Sequence, residues 1–291
     1  MTLYDFLIAP FADYAFMRRA LVACLALGLS CGAFGTFLLL RRMSLMGDAL
    51  SHAILPGAAI GFLLAGLSLW AMSLGGLVAG IVVAMAAGLI SRRTEQREDA
   101  SLASLYLISL AAGVVLISLK GSALDLMHLL FGNVLAVDDH ALLLVAGVSS
   151  LSLIILAVIY RPLVAECLDP TFLRALGVAG GLYHLAFLLL IVLNLVAGFQ
   201  ALGTLMAVGL LILPASAAAF WSQRLAARLA ISALLAGLAS VIGLMGSYHG
   251  DWPSGPAVIL TAGGLYLLSM TFGRCGSLRA RYFPPRHLHH D

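Results

Sequence analysis

The chain has 291 residues, of which 62% are hydrophobic and only 10% are charged, and its mean hydropathy is +1.07. This composition excludes a soluble globular protein, because repeated apolar segments of about 20 residues are typical of transmembrane helices. The formal net charge of +3 comes almost wholly from arginine, which we assign to loops at a membrane surface and not to nucleic-acid binding. No polar segment is long enough for a soluble domain, so 1–291 is predicted to be a single transmembrane domain.

The first 17 residues alternate aromatic side chains with polar ones, and Pro10 lies among them. This alternation predicts an amphipathic helix that lies in the membrane interface and ends or bends at Pro10. A frayed terminus would be compatible with the same residues. Both descriptions of 1–17 therefore stay open.

Long apolar segments follow one another along the rest of the chain, separated by polar breaks. Each approaches the roughly 20 residues that a membrane-spanning helix needs. The segments are 20–40, 49–66, 69–90, 100–119, 139–160, 180–198, 202–221, 226–246 and 255–273. They predict an all-α, polytopic transmembrane helical bundle of about nine spans.

The distribution of positive charge predicts which side of the bundle faces the cytoplasm, because cytoplasmic loops are enriched in Lys and Arg. With nine spans, all of the 16 Lys and Arg residues fall on one side except Arg18, Arg19 and Lys120. The C-terminus, with a tail at 278–291, is therefore expected in the cytoplasm and the N-terminus outside. Arg18 and Arg19 depart from the rule, so a bundle of eight spans also stays possible.

The second span contains a carboxylate and an imidazole close to its beginning. Asp48 and His52 are four residues apart, so a helix places both side chains on one face, about one turn apart. Small residues repeat at every fourth position of the neighbouring stripe, namely Ala49, Ala53, Gly57 and Gly61. Such a stripe predicts close packing against another helix. Pro56 is expected to loosen the helix one turn beyond His52.

Asp48 and His52 are candidate metal ligands. A carboxylate is costly inside a membrane helix and usually has a function, and a carboxylate with an imidazole suits divalent ions such as Zn²⁺ and Mn²⁺. Two ligands are too few to close a site, whereas the same pair from a second copy of the chain would make four across a two-fold axis. Two alternatives stay open: an Asp48–His52 hydrogen bond that fixes helix packing, and a proton relay.

The segment DPTFLRALG at 169–177 lies in a polar break and has the residues of a short capped helix. Asp169 suits the N-cap, Pro170 the first helical position and Gly177 the C-terminal cap. Its exposed apolar side chains would be Phe172, Leu173 and Leu176. Such a helix would dock into a partner or pack on its own protein or on lipid, and the pattern alone does not distinguish these.

The remaining polar residues give weaker signals. His184 is expected to be a core histidine with satisfied hydrogen bonds, and the cluster of Asp138, Asp139 and His140 is expected to cap a helix. Whether His128, His140, His184 or His249 touches a metal path stays open, as does the role of the histidines at 287–290.

The cysteines show no C-x-x-C spacing and are expected to be packing thiols without disulfides; they are Cys24, Cys31, Cys167 and Cys275. The sequence also lacks the P-loop, H-E-x-x-H and G-x-S-x-G motifs. These motifs hold a nucleotide, a catalytic zinc and a nucleophilic serine, respectively. The chain is therefore not expected to be an enzyme in itself.

The segment RRMSLMGDALSHAILPGAAIGFL at 41–63 resembles the signature region of the ABC-3 family, the membrane permeases of bacterial zinc, manganese and iron ABC importers. The likeness continues through FGNVLAV at 131–137, DPTFLRALGV at 169–178, LGTLMAVGLLILPASAA at 202–218 and PSGPAVIL at 253–260. Together and in this order the segments are specific, whereas DALSH alone would be weak evidence.

The resemblance implies an inner-membrane permease that works as a dimer with two cytoplasmic ATPase subunits and a periplasmic metal-binding protein. It implies that Asp48 and His52 line the metal path and that 169–177 is the coupling helix that meets the ATPase. ATP hydrolysis would then belong to a partner chain, and the metal would be the transported substrate without any bound cofactor. Imidazole and the histidine tail favour zinc, although the carboxylate fits manganese as well.

Two other functions compete with a metal permease. A proton-coupled secondary metal transporter would need several acids within its spans, and only Asp48 lies clearly inside one. An intramembrane enzyme would need a nucleophile with its base, or several histidines on adjacent spans. Copurification of an ATPase subunit would distinguish an importer permease from both.

Overall fold

The computed structural model describes residues 9–66, 68–118, 137–169 and 180–282. These residues form helices joined by short turns, without a β-strand among them. The helices are α1 (Ala9–Asp13), α2 (Ala15–Leu40), α3 (Met46–Ala65), α4 (Leu69–Arg93), α5 (Glu98–Ser118), α6 (Asp139–Leu168), α7 (Gly180–Leu202), α8 (Thr204–Ala219), α9 (Leu225–Gly250), α10 (Ser254–Phe272) and α11 (Leu278–Tyr282). The all-α transmembrane architecture that the sequence predicts is confirmed.

Each of the nine predicted apolar segments corresponds to one of the helices α2 to α10. Among the described residues, eight of these helices are long and apolar enough to cross a membrane. The exception is α8, whose 16 residues span about 24 Å at 1.5 Å per residue, less than the ~30 Å of a hydrocarbon core.

Successive helices alternate in direction between two faces of the bundle. We call the face at which α2 begins the Tyr14 face. There the ring of Tyr14, just before α2, lies 5.6 Å from the ring of Tyr248, near the end of α9. We call the opposite face, at which α2 ends, the Arg41 face. There the amide of Cys275, after α10, donates to the carbonyl of Phe220, after α8, at 2.7 Å. Short as it is, α8 therefore runs antiparallel to α7 and α9, as nine alternating segments require.

A single residue reverses the chain between α7 and α8. Gly203 has a φ of +89°, which a residue with a Cβ rarely adopts. It lets α8 fold back directly against α7, where the Cβ of Ala207 packs close to Gly198.

The N-terminal part of the bundle differs from the sequence-based prediction. The first long helix, α2, begins at Ala15 instead of at about residue 20, so Arg18 and Arg19 lie inside it. Both have polar partners, because Arg18 donates to the Ala12 carbonyl at 2.6 Å and Arg19 pairs with Asp139 at 2.8 Å. Long arginine side chains can reach such polar partners while their stems cover apolar surface. The interfacial position of 1–17 stays a prediction, since residues 1–8 lie outside the described ranges.

Close packing between α3 and α4 confirms the predicted stripe of small residues. A Cβ added to Gly57 would lie 2.0 Å from the carbonyl oxygen of Gly75, and one added to Gly61 would lie 2.3 Å from that of Ala71. Any side chain at these two positions would force the helices apart. Pro56 does not interrupt the helix, since α3 runs from Met46 to Ala65.

A cluster of polar side chains at the Arg41 face joins α2, α5, α6 and α7. His184 Nε2 lies 2.6 Å from Glu98 Oε1, and the guanidinium of Arg41 contacts His184 Nδ1. Arg41 Nε also donates to Cys167 Sγ at 3.1 Å, and its guanidinium lies 5.6 Å from the ring centroid of Phe187. The side chains of His184 and Glu98 are only 10% and 22% exposed. We call Arg41, Glu98, Cys167 and His184 the Arg41 cluster.

The cluster confirms one prediction and corrects another. His184 is a buried histidine with a partner at each ring nitrogen, as expected. Arg41, however, is not simply a loop arginine at the surface. It caps the end of α2, and its side chain turns into the bundle toward His184, which is 143 residues away in sequence.

We predict that Glu98→Ala destabilises the protein by about 3 kcal/mol, because it removes the carboxylate that partners the buried His184, beside the half-buried guanidinium of Arg41. The control is Asp99→Ala, which removes an exposed carboxylate paired with Arg97 at 3.2 Å and should cost about 1 kcal/mol or less. Unfolding of the two purified variants in detergent, followed by circular dichroism, measures the difference. Equal stability of the two variants would show that the Arg41 cluster does not hold this face together.

Candidate metal site

The start of α3 is set by a tight turn after α2. The Met43 amide donates to the Leu38 carbonyl at 2.9 Å, and Arg42 adopts a φ of +59°. This turn reverses the chain within five residues, so that α3 begins at Met46. Asp48 falls in the first turn of α3, where the helix dipole favours a negative charge.

Asp48 and His52 lie side by side on α3, as their spacing predicts. His52 Nε2 is 3.6 Å from Asp48 Oδ1. The side chain of His52 is 31% exposed and that of Asp48 is 53% exposed. This separation is longer than a normal hydrogen bond, so the pair is not locked together. Two ligands at about 2.1 Å from one ion in tetrahedral geometry would lie about 3.4 Å apart. The pair therefore needs little adjustment to share an ion.

The other ring nitrogen of His52 faces the protein. His52 Nδ1 is buried and has no hydrogen-bond partner among the described residues. The imidazole lies against the ring of Tyr106 on α5, with 6.1 Å between the centroids and 27° between the planes. The imidazole thus has one face toward Tyr106 on α5, a buried Nδ1, and Nε2 on the side of Asp48.

Asp48 and His52 are only two potential ligands, fewer than a closed metal site needs. Within 9–66, 68–118, 137–169 and 180–282, no group of three His, Cys, Asp or Glu side chains is arranged to hold an ion. An ion at this pair would need ligands from water or from another protein chain.

The structure describes some of the other predicted positions, whereas several lie outside the described residues. Asp138 caps α6 by accepting a hydrogen bond from the Ala141 amide at 2.7 Å, as predicted. All four cysteines are free thiols, also as predicted. Asp169 forms the C-cap of α6, with its amide donating to the Ala165 carbonyl at 2.9 Å. Several predicted positions lie outside the described residues: Pro170, Phe172, Leu173 and Gly177 of the predicted coupling helix, His128, and the histidines at 287–290.

Comparison with known proteins identifies relatives along nearly the whole chain. The model of the ABC 3 transport family matches residues 13–273. The chain is 34% identical to the manganese transport system membrane protein MntC of Halalkalibacterium halodurans, over 97% of this chain and 96% of that protein. It is 30% identical to the chelated iron transport system membrane protein YfeD of Yersinia pestis, over 97% of this chain and 94% of that protein.

A solved structure of PsaBC from Streptococcus pneumoniae in complex with Fab has the same fold, with a TM-score of 0.83. It is 31% identical in sequence, and the alignment covers 97% of this chain and 100% of that one. Family and fold agree with a transport subunit and give no support to a proton-coupled transporter or an intramembrane enzyme. The chain belongs to the ABC 3 transport family and is a membrane permease of the ABC type.

Proposed function

We propose that this permease carries a divalent transition metal, manganese or ferrous iron, from a periplasmic binding protein into the bacterial cytoplasm. The observation that carries the proposal is the Asp48–His52 pair. Two potential ligands lie 3.6 Å apart on one helix face, both are partly accessible, and they are too far apart for a normal hydrogen bond to each other. In a membrane-spanning helix, such a pair needs a function to explain it.

Manganese fits the pair and the family best. Carboxylate and imidazole donors suit Mn²⁺ and Fe²⁺, and the pair includes no thiolate that would select softer ions. The relatives described above are named for manganese and for chelated iron, and none of them is named for zinc. The preference for zinc that the histidines indicated is therefore unsupported, and manganese is the first candidate.

A second copy of the chain would complete the metal site. Two Asp48–His52 pairs across a two-fold axis supply two carboxylates and two imidazoles, enough for a four-coordinate ion. The two carboxylates neutralise the charge of a dication, which cannot enter hydrocarbon unaided. The ion would pass from the binding protein to the four ligands and then to the cytoplasm by successive ligand exchange, without a bound cofactor.

The energy for this exchange would come from two cytoplasmic ATPase subunits. In this proposal the segment 169–177 is the coupling helix and meets the ATPase at the Arg41 face, because α6 ends at that face and α7 begins there. ATP-driven movement of this segment would shift α6 and α7 relative to the rest of the bundle.

We predict that Asp48→Ala and His52→Ala each abolish manganese uptake, because each removes one of the two ligand types. Expression and dimer assembly should stay normal, since both side chains are partly exposed and lie too far apart for a normal hydrogen bond to each other. Uptake of radioactive Mn²⁺ by cells expressing the complete importer measures the effect. His140→Ala, at an exposed position near the start of α6, is the control and should transport normally. Normal uptake by both α3 variants would remove these residues from the metal path.

The charge distribution predicts that the Arg41 face is cytoplasmic and the Tyr14 face external. Fusions of alkaline phosphatase, which is active only outside the cytoplasm, should be active after Trp252 and inactive after Ser222. These positions follow α9 and α8, at opposite faces. Equal activity at both sites would contradict the alternation of α8 and α9.

The proposed coupling helix is too short to be stable alone, since isolated helices below about 12 residues are marginal in water, so it needs a docking partner. Phe172→Asp should place a charge in the apolar contact with the ATPase and reduce metal-stimulated ATP hydrolysis at least tenfold. Thr171→Asp adds the same charge one residue earlier and serves as the control. The measurement is ATPase activity of the reconstituted complex with metal-loaded binding protein. Wild-type activity in Phe172→Asp would show that the ATPase docks elsewhere.

A further inference from the structure

We propose that Tyr106 is a positioning residue of the metal site: its ring holds the imidazole of His52 so that Nε2 faces Asp48. The inference rests on the proposed function, because it assigns Tyr106 a part in metal binding by that pair. Tyr106 lies on α5, outside the helix that carries the ligands, and is half-buried.

Among the residues that the structure describes, His52 has no hydrogen bond of the kind that usually orients a metal-binding histidine. The ring nitrogen that does not bind the ion normally donates a hydrogen bond to a carboxylate, a carbonyl or water, and this bond fixes the ring. His52 Nδ1 is buried without such a partner among the described residues. The contact that does limit the ring is its stacking on Tyr106, with 6.1 Å between centroids and 27° between planes. This distance is within the range of favourable aromatic pairs.

Two further contacts fix Tyr106 relative to His52. The Ser109 hydroxyl donates to the carbonyl of Ala53 at 3.1 Å. At Gly113, an added Cβ would lie 3.2 Å from the nitrogen of Pro56. Positions 106, 109 and 113 share one face of α5, so this face follows α3 over two turns.

The start of α5 is fixed as well, because Glu98 belongs to the Arg41 cluster. Sliding or rotation of α5 would break the Ser109 bond and the contact at Gly113 together. Tyr106 is therefore a rigid surface for the imidazole. Without its ring, the imidazole would sample other orientations, and Nε2 would face Asp48 for only part of the time.

Substitutions at Tyr106 separate the ring from the hydroxyl. Tyr106→Phe keeps the stacking ring and should bind Mn²⁺ like the wild type. Tyr106→Leu removes the ring and should weaken binding about tenfold, the lower end of what loss of a group that orients a ligand costs. Tyr266→Leu is the matched control, because the Tyr266 ring packs at a tilt against Phe220, with 5.9 Å between the centroids, away from the pair.

The experiment measures the dissociation constant of Mn²⁺ for the purified permease complex, from the loss of the electron paramagnetic resonance signal of free Mn²⁺. His52→Ala is included to test the site itself. If His52→Ala binds like the wild type, the proposed site fails. If His52→Ala loses binding but Tyr106→Leu matches Tyr266→Leu, only the role of Tyr106 is overturned. The same holds if Tyr106→Phe is as weak as Tyr106→Leu. Should Tyr106→Leu not assemble, Tyr106→Met takes its place with the same expected outcomes.

Discussion

A polar group buried between apolar helices needs a partner inside the protein, and this requirement organises the Arg41 face. Arg41 enters the bundle from the end of α2 and is held by His184, Cys167 and the ring of Phe187, while Glu98 supplies a negative charge beyond His184. The cluster ties together the ends of four helices that are distant in sequence. Because Arg41 also begins the turn into α3, and Glu98 begins α5, the cluster fixes the two helices that carry His52 and Tyr106.

The Asp48–His52 pair differs from the Arg41 cluster in its exposure, since both of its side chains are at least 31% exposed. Its atoms lie close together but form no hydrogen bond, and the buried nitrogen of His52 has no partner among the described residues. The close packing of Gly57 and Gly61 against α4, and of Pro56 against Gly113, makes α3 a rigid support for this incompletely paired group. A rigid helix that carries two accessible metal ligands, not joined by a hydrogen bond, is suited to a transported ion, which must be bound and then released. A structural pair would be closed by a hydrogen bond.

Local patterns in the sequence predicted most of this architecture. Hydrophobic runs gave the helices, the Asp138 cap followed from residue type, and the spacing of Gly57 and Gly61 predicted close packing. The Arg41 cluster was missed as a whole, because its contacts join residues up to 143 positions apart and no local pattern distinguishes Arg41 from the loop arginine beside it. Tyr106 was missed for the same reason. The spacing of Asp48 and His52 thus predicted one half of the candidate site. The other half, the ring of Tyr106 that supports His52, depends on how α5 packs against α3.

The most direct test of this account is the identity of the nitrogen bound to manganese. Electron spin echo measurements on Mn²⁺ in the purified permease complex, prepared with ¹⁵N-histidine, detect coupling to a coordinated imidazole. The account predicts ¹⁵N coupling in the wild type that disappears in His52→Ala. Coupling of unchanged strength in His52→Ala, or a bound ion surrounded by oxygen alone in the wild type, would contradict it.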